Sequence, residues 1–330
     1  MELYQNKIAD SINSIYPELE LIFTTPPDPK LGDIALPCFS LAKSLKKSPV
    51  AIAEDLKVKL EGLEFIDKIE STNGYLNFFI KKPILFKDTI EKVFSLKEKY
   101  GSSMSGISKK ALVEHTSINP NASPHVGRAR NALIGDTIVR MLRFDGYDVS
   151  VHYFVNDIGK QIAMLLLGAR DKDNVTFQDL LGIYVDINNK VTENPELEKD
   201  VFELLYKLEN GDQEIRESFR KLVNICIDGQ VAILSKLGIK YDAFDYESDY
   251  IYSNATGKLL ELFEKTGKLE EDDEGRLALN QEEYNLPMKS PYLVLTRKDK
   301  TSLYPLRDIA YTIDKVKTNS DVNIIVLGED

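Results

Sequence analysis

Apolar and polar positions change rhythm several times along this chain. Residues 1–16 place apolar side chains at helical spacing, and GDIALPCFSLAKSLKK (residues 32–47) has the same spacing behind Gly32 and Asp33, which predicts a second helix there. Pro49 is placed to open a third, running to about Leu60. FIDKIEST and GYLNFFIKK then take on strand character, joined by Asn73-Gly74, a strong hairpin pair. A helix over residues 82–100 follows. These elements predict a small α+β unit over residues 1–100, with a sheet packed under helices. The small, polar, glycine-containing segment GSSMSGISKK after it marks a domain boundary.

From residue 101 onward the order becomes strand, loop, helix, strand. ALVEHT reads as a short buried strand, residues 128–144 as a helix stopped at Gly146, and VSVHYF as the next strand, the unit of a parallel sheet. NDIGKQIAMLLL starts another helix with Asn156 or Asp157 as its expected cap. Residues 168–250 are mostly charged and amphipathic and are predicted as a helical insertion into the sheet domain. Two hairpins are expected at LEEDDEGRLALN and YLVLTRKDKTSLYPL, then a helix over residues 307–317 and the apolar strand of VNIIVLGED. The fold class expected is therefore α/β, with the small α+β domain first. Because the chain stops as it leaves an apolar strand at Gly328, a fragment of a longer protein is expected, one that folds without completing the whole protein's reaction.

Composition narrows the classes of function. The 330 residues are enough for two domains with proper cores, and no apolar run approaches the roughly 20 residues of a membrane span. The opening MELYQNKIADSINSIYPELE carries acidic residues where a secretory signal would be basic and then apolar. Cys38 and Cys226 stand apart, with no Cys or His at metal-ligand spacing, which points to a reducing cytoplasm and gives little support to a structural zinc site or a disulfide. A formal net charge of −11 argues against coating nucleic acid by bulk electrostatics, though KSLKKSP and SKK concentrate positive charge locally.

The candidate chemistry lies in HTSINPNASPHVGRARNALIGD, which holds two of the chain's three histidines. A strand, then a loop of Asn, Ser and Pro, then a helix beginning at His125, Val126, Gly127 and Arg128 would aim free backbone N–H groups and a positive helix end at an anion. Phosphate is the natural occupant. Gly127 would let a flat adenine ring lie against the backbone, and His125 and Arg128, with Arg130 beside them, could donate to phosphoryl oxygens. Taken alone, the triplet more often marks a helix cap followed by solvated arginines. It is not alone. Glu114 ends the preceding strand and Asn119 lies in the loop, both at the sheet's carboxyl edge. Tyr304 and Asp308, four residues apart in YPLRD, share one face if their helix begins early. Two carboxylates and a tyrosine suit a planar cation, since carboxylates accept a guanidinium's donors in pairs and an aromatic ring covers its face.

These residues carry a resemblance. EHTSINPNASPHVGRARNALIGDTIVRMLRFDGYDV resembles the signature region of arginyl-tRNA synthetases, class I enzymes in which a His-x-Gly-His sequence opens the first helix of a Rossmann catalytic domain. GDIALPCFSLAKSLKKSPVAIAEDL and NGYLNFF are similar to that family's additional N-terminal domain, NDIGKQI to the element after its second strand, and TSLYPLRDIAYTIDK to its arginine-pocket helix. The resemblance implies an incomplete Rossmann-type catalytic domain over residues 101–330, without the anticodon-binding domain. It implies that Glu114, Ser117, Asn119, Tyr304 and Asp308 hold the substrate arginine, and that Asn119, His125, Gly127 and Arg128 meet ATP, the last three at the catalytic centre. Asn73, Tyr75 and Asn77 would contact the tRNA elbow, an aromatic ring stacking on a base while amides read its edge. Asp157, Gly159 and Gln161 match a further family element, although Asp157 is equally placed for an N-cap. The implied activity is arginine–tRNA ligation, with ATP carrying Mg²⁺ as a substrate complex and no protein-bound metal. Its partners would be L-arginine, ATP and tRNA(Arg), with no membrane, and the protein would act as a monomer in the cytoplasm. One departure stands out: Arg128 occupies the motif's second histidine position. Two other readings remain, another nucleotidyl-transferring enzyme of the same superfamily and a non-catalytic tRNA-binding module.

Overall fold

Ile34, Leu36, Leu76 and Phe78 alternate along their strands and are fully buried, and around them the first of two compact units is built. In the computed structural model, which describes residues 1–170, 172, 174–284, 286 and 290–328, the units are Met1–Gly101 and Ser102–Asp330. The first contains helix α1 (Glu2–Ile15), strand β1 (Ile34–Pro37), helices α2 (Ala42–Leu45) and α3 (Pro49–Lys59), strands β2 (Ile66–Thr72) and β3 (Tyr75–Ile80), and helix α4 (Lys82–Leu96). Tyr4, Ile8 and Ile12, one turn apart, are the buried stripe of α1. Ser48 caps α3 by accepting from the Ala51 amide at 3.2 Å, with Pro49 in the first turn. Asn73 (φ 51°) and Gly74 (φ 82°) both take the left-handed backbone that a two-residue hairpin requires, so Thr72 pairs with Tyr75 and the β2–β3 register is fixed.

The helix expected over residues 32–47 is a strand followed by one short helical turn. β1 pairs antiparallel with β3, which needs a partner on each edge, giving the order β1-β3-β2. The start signal has a different use. Asp33 donates its amide to Phe78 O (2.9 Å) and accepts from the Ile80 amide at 2.8 Å, lacing the segment to the sheet. Burial of Ile34 and Leu36 at period two then outweighs the local helical spacing.

The second unit begins with β4 (Lys110–Glu114), α5 (Val126–Phe144) and β5 (Asp148–Val155), then α6 (Lys160–Ala169), α7 (Phe177–Glu193), α8 (Leu197–Glu209) and α9 (Gln213–Leu234). It continues through β6 (Ala243–Tyr246), α10 (Asp249–Tyr252), α11 (Ala255–Thr266), β7 (Leu269–Glu271), β8 (Leu277–Asn280), β9 (Tyr292–Val294), α12 (Tyr304–Lys317) and β10 (Val322–Ile325). β10, β4, β5 and β6 form a wholly parallel sheet in that spatial order. The connection runs outward from β4 to β6 and returns to β4's other edge with β10, so the strand order reverses at the β4/β10 seam. Ligands in open α/β sheets bind beyond the carboxyl ends of the strands at such a reversal.

The helices α6 to α9 bury Leu165, Leu180, Leu204, Val223 and Ile227 in one cluster with Tyr153 and Val155 of β5. The expected insertion over residues 168–250 is too long at its end, because Ala243–Tyr246 returns to the parallel sheet as β6, in register with His152–Val155. Neither Asn156 nor Asp157 caps α6; that position is Gly159 (φ 134°). β7 and β8 form the expected antiparallel pair, and β9 joins as their third strand. The expected hairpin over residues 292–306 forms in a shortened version, with Leu303 donating to Leu295 O (2.8 Å) and Arg297 to Thr301 O (2.8 Å) around a Thr296–Ser302 bridge, and it stops there because the helix after it starts at Tyr304 and not at residue 307. No described helix is long and apolar enough to cross a membrane.

Candidate active site

Directly after β4 the backbone turns sharply, with Thr116 at φ 83° and Ser117 at φ 44°. Left-handed backbone at two adjacent non-glycine residues, one of them β-branched, needs support from its surroundings. Gln230 of α9, fully buried, supplies it. Its Nε2 donates to the carbonyls of Asn119 (3.0 Å) and Ala122 (2.7 Å). Its Oε1 accepts from the Tyr153 hydroxyl at 2.7 Å, which in turn accepts from the Ile118 amide at 3.2 Å. The insertion thus fixes the loop that the first strand delivers. Ser117 Oγ and Asn121 Oδ1, buried in this loop, have no hydrogen-bond partner among the described residues, the condition expected where a ligand completes a site.

The loop ends at His125, the N-cap residue of α5, whose side chain makes no capping bond. Its ring instead lies beside Gly127, where an added Cβ would stand 3.1 Å from Cε1. His125, Gly127 and Arg128 are all exposed. Among the described residues Arg128 reaches only the Ser123 carbonyl, at 3.5 Å, so its guanidinium is largely unengaged by them. Ser117, Asn119, Gly127, Arg128 and Arg130 line one cleft of about 330 Å³ at the start of α5. Asn119 also lines a second cleft, of about 290 Å³, with Gly159 and Gln161. Asp157 lies elsewhere: buried, it accepts from the amide (2.8 Å) and hydroxyl (2.6 Å) of Ser248 and joins the loops after β5 and β6. Burial raises its pKa, with Ser248 and Arg220 opposing. Its role is a cross-brace, neither cap nor wall of the α5 cleft.

The acidic part of the site forms where α12 crosses the strand ends. Arg307, Tyr311 and Lys315 stand at four-residue steps on the inner face of α12, and each meets an acid from the sheet. Arg307 pairs with buried Glu247 at 2.6 Å, the Tyr311 hydroxyl donates to Asp245 at 2.7 Å, and Lys315 pairs with Glu114. Asp245 also accepts from His152 Nδ1 at 2.6 Å. Burial raises the Glu114 pKa against the pull of Lys315, and the Asp308 and Asp245 carboxylates are near enough to push it further up. Burial likewise raises Glu247, opposed by Arg307. Asp245, although burial would raise it, is held below its ordinary value by His152 and Tyr311.

The other face of α12 is open. Tyr304 is 71% exposed and Asp308, one turn on, is also exposed and forms no ion pair among the described residues. The helix's early start puts the two side by side, and Asp308 lies within electrostatic reach of Glu114. Glu114 and Asp308 thus come within electrostatic reach of each other, with Tyr304 one turn before Asp308 on the open face of α12. Sequence reasoning missed Gln230, Asp245, Glu247, Arg307, Tyr311 and Lys315. A signal existed for three of them: Arg307, Tyr311 and Lys315 recur at the spacing of Leu306 and Ala310, which marks a buried stripe.

In the first unit, Asn73 and Tyr75 are exposed at the hairpin, and the Tyr75 ring meets the half-exposed Phe39 edge-on at 5.3 Å. Asn77 is 5% exposed, in register between Ala35 and Glu70, so it presents little surface to a partner. Among the described residues no group of three His, Cys, Asp or Glu could hold a metal ion.

Residues 89–329 match the family of class I tRNA synthetases (R), catalytic domain, and residues 2–80 match the arginyl tRNA synthetase N terminal domain. The chain is 39% identical to the arginine–tRNA ligase of Methanococcus aeolicus, the match covering 98% of this chain and 57% of that protein. It is 38% identical to that of Methanocaldococcus jannaschii, over 95% of this chain and 56% of the relative. It therefore spans rather more than half the length of these relatives. Among solved structures it is similar to Thermus thermophilus arginyl-tRNA synthetase, with a TM-score of 0.67, 30% identity and 94% of this chain matched to 52% of that one. The Plasmodium falciparum arginyl-tRNA synthetase shares the fold, with a TM-score of 0.70 at 18% identity, 98% of this chain and 58% of that one being matched.

Proposed function

This chain belongs to the class I arginyl-tRNA synthetase family, and from that premise we propose that it binds L-arginine at the Glu114, Tyr304 and Asp308 cluster and ATP in the cleft at the start of α5, as part of an arginine–tRNA ligase. The observation that carries this reading is the convergence of three carboxylates, Glu114, Asp245 and Asp308, at the carboxyl end of a parallel sheet, with the exposed Tyr304 one turn from Asp308 on α12. A guanidinium offers donors to paired carboxylates and a flat face to the ring. Lysine's ammonium leaves acceptors unmatched, at about 1–3 kcal/mol for each. The strand order, outward from β4 and back to its free edge, supports assignment as a Rossmann-type sheet.

In the proposed reaction an arginine carboxylate oxygen attacks the α-phosphorus of ATP and the bond to the leaving pyrophosphate breaks. A terminal ribose hydroxyl of tRNA then attacks the arginyl carbonyl and AMP departs. No protein nucleophile is needed; catalysis consists of alignment and of donors placed where charge spreads over phosphoryl oxygens. The backbone amides at the start of α5, His125 and Arg128 would serve the phosphates, and the unpartnered Ser117 Oγ is placed to bond a substrate. Mg²⁺ would enter with ATP. The exposed Asn73 and Tyr75 of the N-terminal unit would meet tRNA, with Asn77 supporting the hairpin from beneath. The buried thiols Cys38 and Cys226 support a reducing compartment, the cytoplasm.

Calorimetric titration with arginine, lysine and ATP tests the proposal. Arginine should bind and lysine should not, and Asp308→Asn or Tyr304→Ala should weaken arginine while leaving ATP unchanged. Equal affinity for the two amino acids would refute it.

A further inference from the structure

Glu114 is so deeply buried that it would not by itself be a dependable anion. Its carboxylate is desolvated, it faces the like charges of Asp308 on α12 and Asp245 on β6, and Tyr311 on α12 and Tyr250 on α10 are close by. His152, its register partner on β5, has one ring nitrogen committed to Asp245 and the other to Ser150. The cation facing it is Lys315, whose Nζ stands 2.5 Å from Oε2 and also lies 4.1 Å from the centre of the Tyr311 ring. No other donor reaches the carboxylate among the described residues, so Oε1 is uncommitted.

We propose that Lys315 is a positioning residue for the arginine site: it clamps one oxygen of Glu114 and keeps the carboxylate ionised, so that the other oxygen is presented as an anion to the substrate. This rests on the arginine-binding reading above. Lys315 does not touch the substrate. Anchored by Glu114 and lying over Tyr311, whose hydroxyl is held by Asp245, it has no free partner to seek. Without it, a desolvated carboxylate facing Asp308 and Asp245 is pushed further towards its protonated form, and arginine binding must first expel the proton it takes up.

The test is the pH dependence of the arginine dissociation constant from about pH 6 to about pH 8, spanning ordinary carboxylate-to-neutral conditions. ATP binding serves as the folding control, since Lys315 lies outside the α5 cleft. The unmodified chain and Lys315→Arg should give nearly flat profiles. Lys315→Met should bind arginine at least about ten-fold more weakly near neutrality and recover by up to about ten-fold for each pH unit gained. If Lys315→Met retains ATP binding but matches the parent, or is weakened by the same factor at every pH, Lys315 does not act through the ionisation of Glu114. Should Lys315→Met fail to bind ATP, Lys315→Gln, which keeps a donor without the charge, must show the same slope, and a flat profile overturns the proposal. If the unmodified chain binds no arginine, the arginine-site reading itself falls and this proposal with it, an outcome visible before any variant is made.

Discussion

Glu114, at the carboxyl end of β4, and Lys315, on the last turn of α12, lie 201 positions apart and meet at 2.5 Å with each side chain 5% exposed. Two charges removed from water are stable together only because each satisfies the other. Removing one leaves the second uncompensated, at a cost of about 3–5 kcal/mol, whereas replacing both by apolar groups of similar size is close to neutral. Chemical denaturation should therefore show Lys315→Met clearly less stable than the parent, and Glu114→Leu/Lys315→Met closer to it than the single variant. A double variant weaker than the single one would contradict this account of the pair.

Two glycines in helices should respond oppositely to the same substitution. A methyl group on Gly135 of α5 would stand 2.3 Å from His115 Cβ, forcing apart the helix and the end of β4, whereas one on Gly182 of α7 meets nothing within 4 Å. Gly135→Ala should lower stability by about 1–3 kcal/mol through overpacking. Gly182→Ala should raise it by about 0.5–1 kcal/mol, since alanine is the better helix former. Thermal unfolding of the pair measures both.

His115 should make the fold acid-sensitive. Burial lowers its pKa from 6.5 to about 4, opposed only in part by Asp136, and its Nε2 has no partner among the described residues. The unfolded chain then takes up the proton more readily than the folded one. The stabilising contribution is complete above pH 6.5 and is lost as pH falls towards 4, by about 3 kcal/mol in total. Urea midpoints across that window should fall with pH, and His115→Phe should flatten the curve.

Arg128 should contribute to ATP binding although the family motif has histidine there. Its guanidinium has no acidic partner among the described residues and lines the cleft at the positive end of α5. Losing a charge-assisted bond to phosphate costs about 1.5–3 kcal/mol, so Arg128→Ala should weaken ATP by roughly 10- to 100-fold. Arg128→His should recover part of this. Calorimetric titration with ATP decides, and unchanged affinity in the alanine variant would remove Arg128 from the site.

The elements that could be read from sequence are those whose signals are local. Asn73-Gly74 fixed its hairpin through backbone geometry, and β4, α5 and β5 followed from their hydrophobic runs. Residues 32–47 misled because their helical spacing is weaker than the demand of β3 for a second neighbour, a long-range requirement that leaves no local mark. β6 was hidden in the helical insertion because AFDY is four residues long and half-buried. The candidate residues His125, Arg128, Tyr304 and Asp308 are named by their motifs, and all four are exposed. Arg307 and Lys315 carry only the stripe spacing they share with Leu306 and Ala310, which places them on the buried face but leaves their roles unread, because the acids that meet them, Glu247 and Glu114, come from strand ends far away in sequence.

The reversal of strand order at the β4/β10 seam sets the timetable by which this site comes into being. Its first wall is translated early, while its facing wall on α12 arrives only after the whole bundle of α6 to α9 has been made. Contacts of such long sequence separation form late, since the intervening loop must be closed before they repay its entropy. A nascent chain would hold the loop at the start of α5 well before the Glu114–Lys315 pair, and burial of that pair would report that α12 has docked.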